Sequence, residues 1–287
     1  MRNLVAGGLV GFATVISIAH AEPVTVVAAE SVYGNIAREI GGPDVAVTSV
    51  LSNPNQDPHE FEASASTARR IADARLVIYN GADYDPWMAK LLSGSRAPSR
   101  QVIEVARLAN RRPGDNPHVW YDVTAISALA KALAGAYSAL DPAHRADFAQ
   151  RHAVFERSLQ PLLERIAQLR NAYSGTAATA TEPVFGYMAD AIGLKMRNAR
   201  FQLAVMNGTE PSAKDIAAFE NDLRSRSVKV LLYNSQTSSA LAERMRTIAV
   251  AAGVPVVGVS ETPPAGMNYR QWMTSQLDAL AVALGTR

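Results

Sequence analysis

Short apolar runs alternate with stretches of helical periodicity along this chain. Residues 24–29, 45–51, 76–79 and 102–105 are short and rich in Val, Ile and Leu, without strict in–out alternation. Such runs predict strands of a sheet covered on both faces. Between and after them, residues 33–40, 64–74, 84–92 and 123–140 carry helical spacing, the first stopped by Gly41 and Gly42. Strands alternating with helices imply parallel βαβ units.

Asp141-Pro142 is a helix start, with aspartate suited to the N-cap and proline to the first turn. From there to Tyr173, Phe148, Phe155, Leu159, Leu162, Leu163, Ile166 and Leu169 fall on one stripe. A helix of about 30 residues spans on the order of 45 Å, a strut rather than a flexible linker. Pro161 lies inside it and predicts a kink. The alternation then resumes, with strands predicted over 177–180, 228–233 and 254–259. Helices are predicted over 184–192, 212–224, 238–252 and 269–284. The predicted fold class is α/β: two βα lobes with central, mainly parallel sheets, joined by one long rigid helix. The expected division is a leader over 1–21, an N-terminal lobe over 22–140, a linking helix over 141–174 and a C-terminal lobe over 175–287.

The leader assignment rests on Arg2, an uncharged apolar run from Leu4 to Ile18, and Ala19-His20-Ala21 as a cleavage site. That run falls short of the roughly 20 residues of a membrane span. The expectation is an exported, periplasmic chain beginning near Glu22. The roughly 266 residues that remain are enough for two domains, each with its own core. Their 27 basic and 26 acidic residues nearly cancel and form no basic run, which argues against nucleic acid and anionic membrane as partners. Cysteine is absent. Disulfides, a thiol nucleophile, thiolate metal ligation and a lipid-modified N-terminal cysteine are thereby all excluded, and any metal must be held by imidazole and carboxylate.

Two histidines stand out in Asp57-Pro58-His59-Glu60 and Asn116-Pro117-His118-Val119-Trp120, about sixty residues apart. Proline fixes its own φ and restricts its predecessor, so each imidazole sits on a stiff turn. Ligands of open parallel sheets bind outside the carboxyl ends of strands. His59 follows strand 45–51, and His118 follows strand 102–105 and its loop. In the second half, Glu182 follows strand 177–180 and Glu261 follows strand 254–259. Two imidazoles and two carboxylates converging between the lobes would form a neutral shell for a divalent cation, suited to zinc, manganese or ferrous iron.

The chain resembles the metal-binding substrate-binding proteins of ABC importers that serve zinc and manganese uptake. The resemblance is carried by "DPHEFEASASTARRIADARLVIYNGADYDPWMAKLL", "NPHVWYDV", "TEPVFGYMADAIGL", "GTEPSAKDIAAF" and "VSETPPAGMNY", in the expected order along most of the chain. It implies two α/β lobes joined by a long helix, and metal ligands at His59, His118, Glu182 and Glu261. It also implies an ABC permease in the inner membrane as partner, a monomeric carrier, and no catalysis. Zinc-type members usually have histidine where Glu182 stands, whereas manganese- and iron-type members have glutamate. The last ligand is generally aspartate, where this chain has Glu261, and the histidine-rich loop of zinc-specific members is missing. The cargo expected from the resemblance is manganese or zinc, with iron a further candidate.

Two rivals stay open at this stage. A metal-dependent hydrolase would need an open coordination position and a nearby base, and no H-E-x-x-H motif occurs. An adhesin or organic-solute binder of the same architecture would need no metal shell. Several further residues have alternative readings. Asp57 and Asp122 could orient the imidazoles or cap turns; Glu60 and Glu62 are expected to face water. His144 and His152, two turns apart on the strut, are expected to be solvated. Tyr84, Trp87 and Trp120 suit lobe core or a cleft wall, and Arg200 is a candidate partner for a ligand carboxylate.

Overall fold

The computed structural model describes residues 22–53, 61–95, 97–237 and 239–285. The expected leader, together with Asp57, His59 and Glu60, lies outside the described residues.

The first half folds as β1 (Val24–Glu30), α1 (Ser31–Gly41), β2 (Val45–Leu51), α2 (Ala65–Asp73), β3 (Leu76–Tyr79), α3 (Pro86–Gly94), β4 (Gln101–Glu104), α4 (Val105–Leu108) and α5 (Val123–Leu140). All strand pairs are parallel, in the order β2-β1-β3-β4. The register follows from apolar neighbours, Val26 lying opposite both Val47 and Leu76. Local signals set the helix starts: Ser64 accepts the Thr67 N–H ahead of α2, and Asp122 accepts the Thr124 N–H ahead of α5. By length and hydropathy α5 could cross a membrane, yet Ile126, Leu129, Leu133 and Tyr137 bury one of its faces in the core.

The strut is built from a 3-10 turn at Pro142–His144, then α6 (Arg145–Ser158) and α7 (Gln160–Tyr173). The break falls at Leu159. Pro161 has no N–H for the Arg157 carbonyl, so the helical ladder opens one turn before it, although Leu159 itself keeps helical dihedrals.

The second half comprises β5 (Ala177–Ala180), α8 (Gly186–Ile192), β6 (Lys195–Arg197), α9 (Ala199–Met206), α10 (Ala213–Arg224), β7 (Leu231–Asn234), α11 (Ala240–Ala252), β8 (Val256–Val259) and α12 (Tyr269–Leu284). Its parallel sheet has the order β6-β5-β7-β8, the same winding as the first. Two of these elements escape the sequence pattern. β6 is three residues long with only Met196 apolar, and α9 follows it immediately. The last strand starts later than expected because Pro255 cannot donate to the ladder; its carbonyl accepts the Leu231 N–H instead.

Each sheet has a smaller core of its own, around Val27, Ile71 and Met88 in the first half and around Phe201, Phe219 and Met245 in the second, but the largest interior is shared. One continuous core takes Ile36 and Leu133 from the first half, Phe148 and Leu162 from the strut, and Val184, Leu232 and Trp272 from the second. Tyr121 packs edge-on against Phe185 and tilts against Trp272, and its hydroxyl donates to Gln276 on α12 at 2.6 Å. Tyr269, also on α12, donates to the Trp120 carbonyl at 3.0 Å. Burial therefore couples the halves. We predict a single calorimetric unfolding transition for the whole chain. Trp272→Ala should lower its stability by about 3–5 kcal/mol without splitting the transition; two resolved transitions in the unaltered protein would contradict the shared core.

Candidate metal centre

His118 is introduced by Asn116-Pro117 and opens a 3-10 turn at Val119–Tyr121. Its ring is fully buried, with Tyr84 and Trp120 edge-on at centroid distances of 6.1 and 5.4 Å. Asn116 Oδ1 accepts both the His118 backbone N–H, at 3.1 Å, and Nδ1, at 2.6 Å. An amide oxygen only accepts, so the proton is on Nδ1 and Nε2 carries the ring's lone pair. Asn116 is held in turn by the second half: its Nδ2 donates to the Pro183 carbonyl at 2.7 Å, and its own carbonyl accepts from Tyr187 at 2.5 Å. Glycine at 186 permits this approach, since a Cβ there would stand 2.6 Å from Asn116 Nδ2.

Glu182 and Glu261 follow β5 and β8, and both are buried, at 8% and 2% relative exposure. Strand order puts β7 between them, and Asn234 at its end donates from one amide to both: 3.2 Å to Glu182 Oε2 and 2.6 Å to Glu261 Oε1. Thr237 donates to Glu182 Oε1 at 2.8 Å, and Tyr84 donates across the cleft to Glu261 Oε2 at 2.7 Å. Burial, then the Glu261 charge, pushes the Tyr84 phenol well above its ordinary pKa, which keeps it a donor. Gln236 fixes the Glu261 loop by accepting the N–H groups of Glu261 and Thr262. His118 Nε2 stands 3.9 Å from Glu261 Oε2, with both side chains fully buried.

The structure thus brings three of the four sequence candidates, His118, Glu182 and Glu261, around Asn234 and Tyr84, and the fourth, His59, lies outside the described residues. Among the described residues, no three His, Asp or Glu side chains are gathered closely enough to hold an ion by themselves. Asp122 caps α5 and pairs with Arg111 at 3.5 Å, so it is a helix residue here. Arg200 is exposed, as is Glu62. His144 and His152 pair with Asp141 and Glu156 on the strut. Trp120 is core, and Trp87 packs on Phe61 with ring centroids 4.6 Å apart.

Sequence reading overlooked Asn116, Asn234 and Thr237 because it sought ligands and not the amides and hydroxyls that hold them. The strand-end rule that located Glu182 and Glu261 also points to Asn234. In the first sheet Asn80 follows β3 as Asn234 closes β7, and its amide donates to the Pro117 carbonyl, one residue before His118, at 2.8 Å. Asp85 accepts the Asn80 and Gly81 N–H groups at 2.6 and 2.8 Å. Those bonds hold a left-handed turn in which Gly81, Ala82 and Asp83 all have positive φ, and the turn delivers Tyr84 to the cleft.

A family model described as ZnuA, zinc-uptake complex component A, periplasmic, matches residues 26–283. The chain belongs to this family. The zinc-binding protein TroA of Treponema pallidum is 27% identical over 257 residues, covering 82% of this chain and 80% of TroA. The manganese ABC transporter substrate-binding lipoprotein PsaA of Streptococcus mitis is 21% identical, covering 93% and 91%. Among solved structures, periplasmic zinc-binding TroA superposes with a TM-score of 0.78 at 23% identity, over 93% of this chain and all of that one. A manganese-bound periplasmic metal-binding protein of Candidatus Liberibacter asiaticus gives 0.73 at 18% identity, over 91% and 99%. The two-lobed parallel architecture is therefore that of the family, whose members are substrate-binding proteins rather than enzymes.

Behind the cleft, burial and then the Asp85 charge raise the Glu30 carboxyl well above the usual carboxylate range, while burial raises Asp85 to about 6. A raised acid pKa in the folded state stabilises the protein while the group is protonated. That stability is fully present below the unfolded pKa and is lost as pH rises through the folded value. Glu30→Gln mimics the protonated acid. It should leave the melting temperature near that of the unaltered protein under mildly acidic conditions and flatten its decline toward alkaline pH. Parallel melting-temperature profiles for the two proteins would contradict this.

Proposed function

We propose that this chain is an exported carrier that captures one divalent transition metal between its lobes and hands it to an ABC permease in the inner membrane. The cargo is manganese or zinc, with iron a further candidate. The ligands are His59, His118, Glu182 and Glu261, two from each lobe, over lobes of residues 22–140 and 175–287 joined by the 141–174 strut. The carrier is a monomer, freed by cleavage of its leader, not anchored by lipid, and catalyses no reaction.

The observation that carries this reading is a pair of buried carboxylates under one Asn234 amide, with a buried imidazole nitrogen 3.9 Å from one of them. Asn234, Thr237 and Tyr84 are neutral donors: they satisfy the carboxylate oxygens without cancelling their charge. A divalent cation does cancel it, and the two imidazoles complete a neutral four-ligand shell. Family membership supports the same reading, because the relatives named above are described as binding zinc or manganese. Fold alone would not decide it, since a laminin-binding adhesin of Streptococcus agalactiae superposes with a TM-score of 0.74. Buried paired acids beside an imidazole favour a cation cargo over an organic solute or a protein surface.

Purified protein should take up one zinc or manganese ion per chain, and should be stabilised by it through mass action. His118→Ala and His59→Ala should each lose tight binding while the metal-free fold, followed by circular dichroism, is retained. Stoichiometric metal remaining in both variants by elemental analysis would overturn the assignment.

A further inference from the structure

Glu30 ends β1 and is the N-cap of α1, yet its side chain caps nothing. Its carboxyl is buried, at 3% relative exposure, against Asp85, which is itself at 1%. Among the described residues, no group of another residue donates to either Glu30 oxygen. Asp85 is placed the opposite way, with one oxygen accepting the Asn80 N–H at 2.6 Å and the other the Gly81 N–H at 2.8 Å. Accepted N–H bonds favour the ionised form of Asp85. A buried carboxylate without a donor is costly, and two in contact cannot both ionise cheaply. The pair therefore keeps one proton, and it belongs on Glu30, where it bonds Asp85. The titratable groups facing Glu30 are Asp85, Tyr33 on α1 and Tyr84, and none of them is a cation that would draw the proton off.

The turn that Asp85 holds serves both sides of the cleft. Ala82 and Asp83 have positive φ, which a residue with a side chain adopts only where its surroundings enforce it. The turn ends at Tyr84, whose hydroxyl donates to Glu261. At its start Asn80 accepts the Tyr33 hydroxyl and donates to the Pro117 carbonyl, just ahead of His118. We propose that Glu30 is a positioning residue that stays protonated and donates to Asp85, locking the 80–85 turn so that Tyr84 and the His118 loop are held in place for the cargo. This inference rests on the carrier reading above and adds to it a residue of β1 that is not among the ligands.

Zinc titration of the full chain, of Glu30→Gln and of Glu30→Leu tests it. Glutamine keeps the size of the protonated acid and offers an NH2 to Asp85, whereas leucine fills the space and donates nothing. Glu30→Gln should bind zinc within a few-fold of the unaltered protein. Glu30→Leu should lose about 10–100-fold, the usual effect of removing an outer partner of a metal site. A role in filling space alone would leave the two variants alike. Asp85→Asn sets an NH2 against one of the two backbone N–H groups, and should weaken binding to a similar degree should Glu30→Leu fail to fold. Infrared spectra of the metal-free, unaltered protein at neutral pH should show the carbonyl stretch of a protonated carboxyl that Glu30→Gln lacks. Equal zinc affinity in the two Glu30 variants, unchanged affinity in folded Asp85→Asn, or no such stretch would each overturn the inference and leave the carrier standing. Uptake of neither zinc nor manganese by the unaltered protein would overturn the carrier reading, and this inference with it.

Discussion

Two acidic side chains buried within reach of a single amide are the constraint around which this molecule is organised. An isolated ionised carboxylate taken out of water is costly, and two close together repel. Protein groups can lower that cost through hydrogen bonds, and Asn234, Thr237, Tyr84 and Gln236 do so at the side chains and backbone of Glu182 and Glu261. All four are neutral. On the proposed reading, the positive charge that these four groups do not supply is brought by the cation cargo.

The fold supplies that arrangement through repetition and a shared interior. Both sheets have the same winding, so each half presents loops at the carboxyl ends of its strands, and each uses an asparagine after its third strand to support a ligand loop. The halves then lock together above and below the cleft. Asn116 bonds Pro183 on one side of His118, and Tyr121 reaches Ser260, next to Glu261, on the other. One hydrophobic core runs through the strut into both halves, and packing sets the distance between His118 and Glu261 in this structure. On the proposed reading, side chains held in place this way lose little conformational freedom when an ion enters, which favours capture of a small cargo.

Much of this was legible in the sequence. The strands 45–51, 76–79 and 177–180 and the helices 123–140 and 269–284 end where the pattern placed them, because continuous apolar runs and caps such as Asp122 and Asn268 mark them locally. β6 and α9 were not legible: a three-residue edge strand with one apolar position has no period, and its pairing with β5 is decided by tertiary structure. The ligand loops could be found from strand ends plus residue chemistry. Their supporting groups could not, because nothing local marks Asn234 as the residue between two acids; that follows only from strand order. Tyr84 was read as core or cleft wall, and its role as a donor across the cleft depends on a turn of three positive-φ residues held by Asp85.

X-ray absorption at the zinc edge of the loaded protein tests the central claim most directly. The account requires one ion per chain with four nitrogen and oxygen neighbours at about 2.0–2.1 Å, and the outer scattering of two imidazoles. Six oxygen neighbours, or a spectrum lacking imidazole scattering, would show that the buried acids and His118 do not form the metal shell.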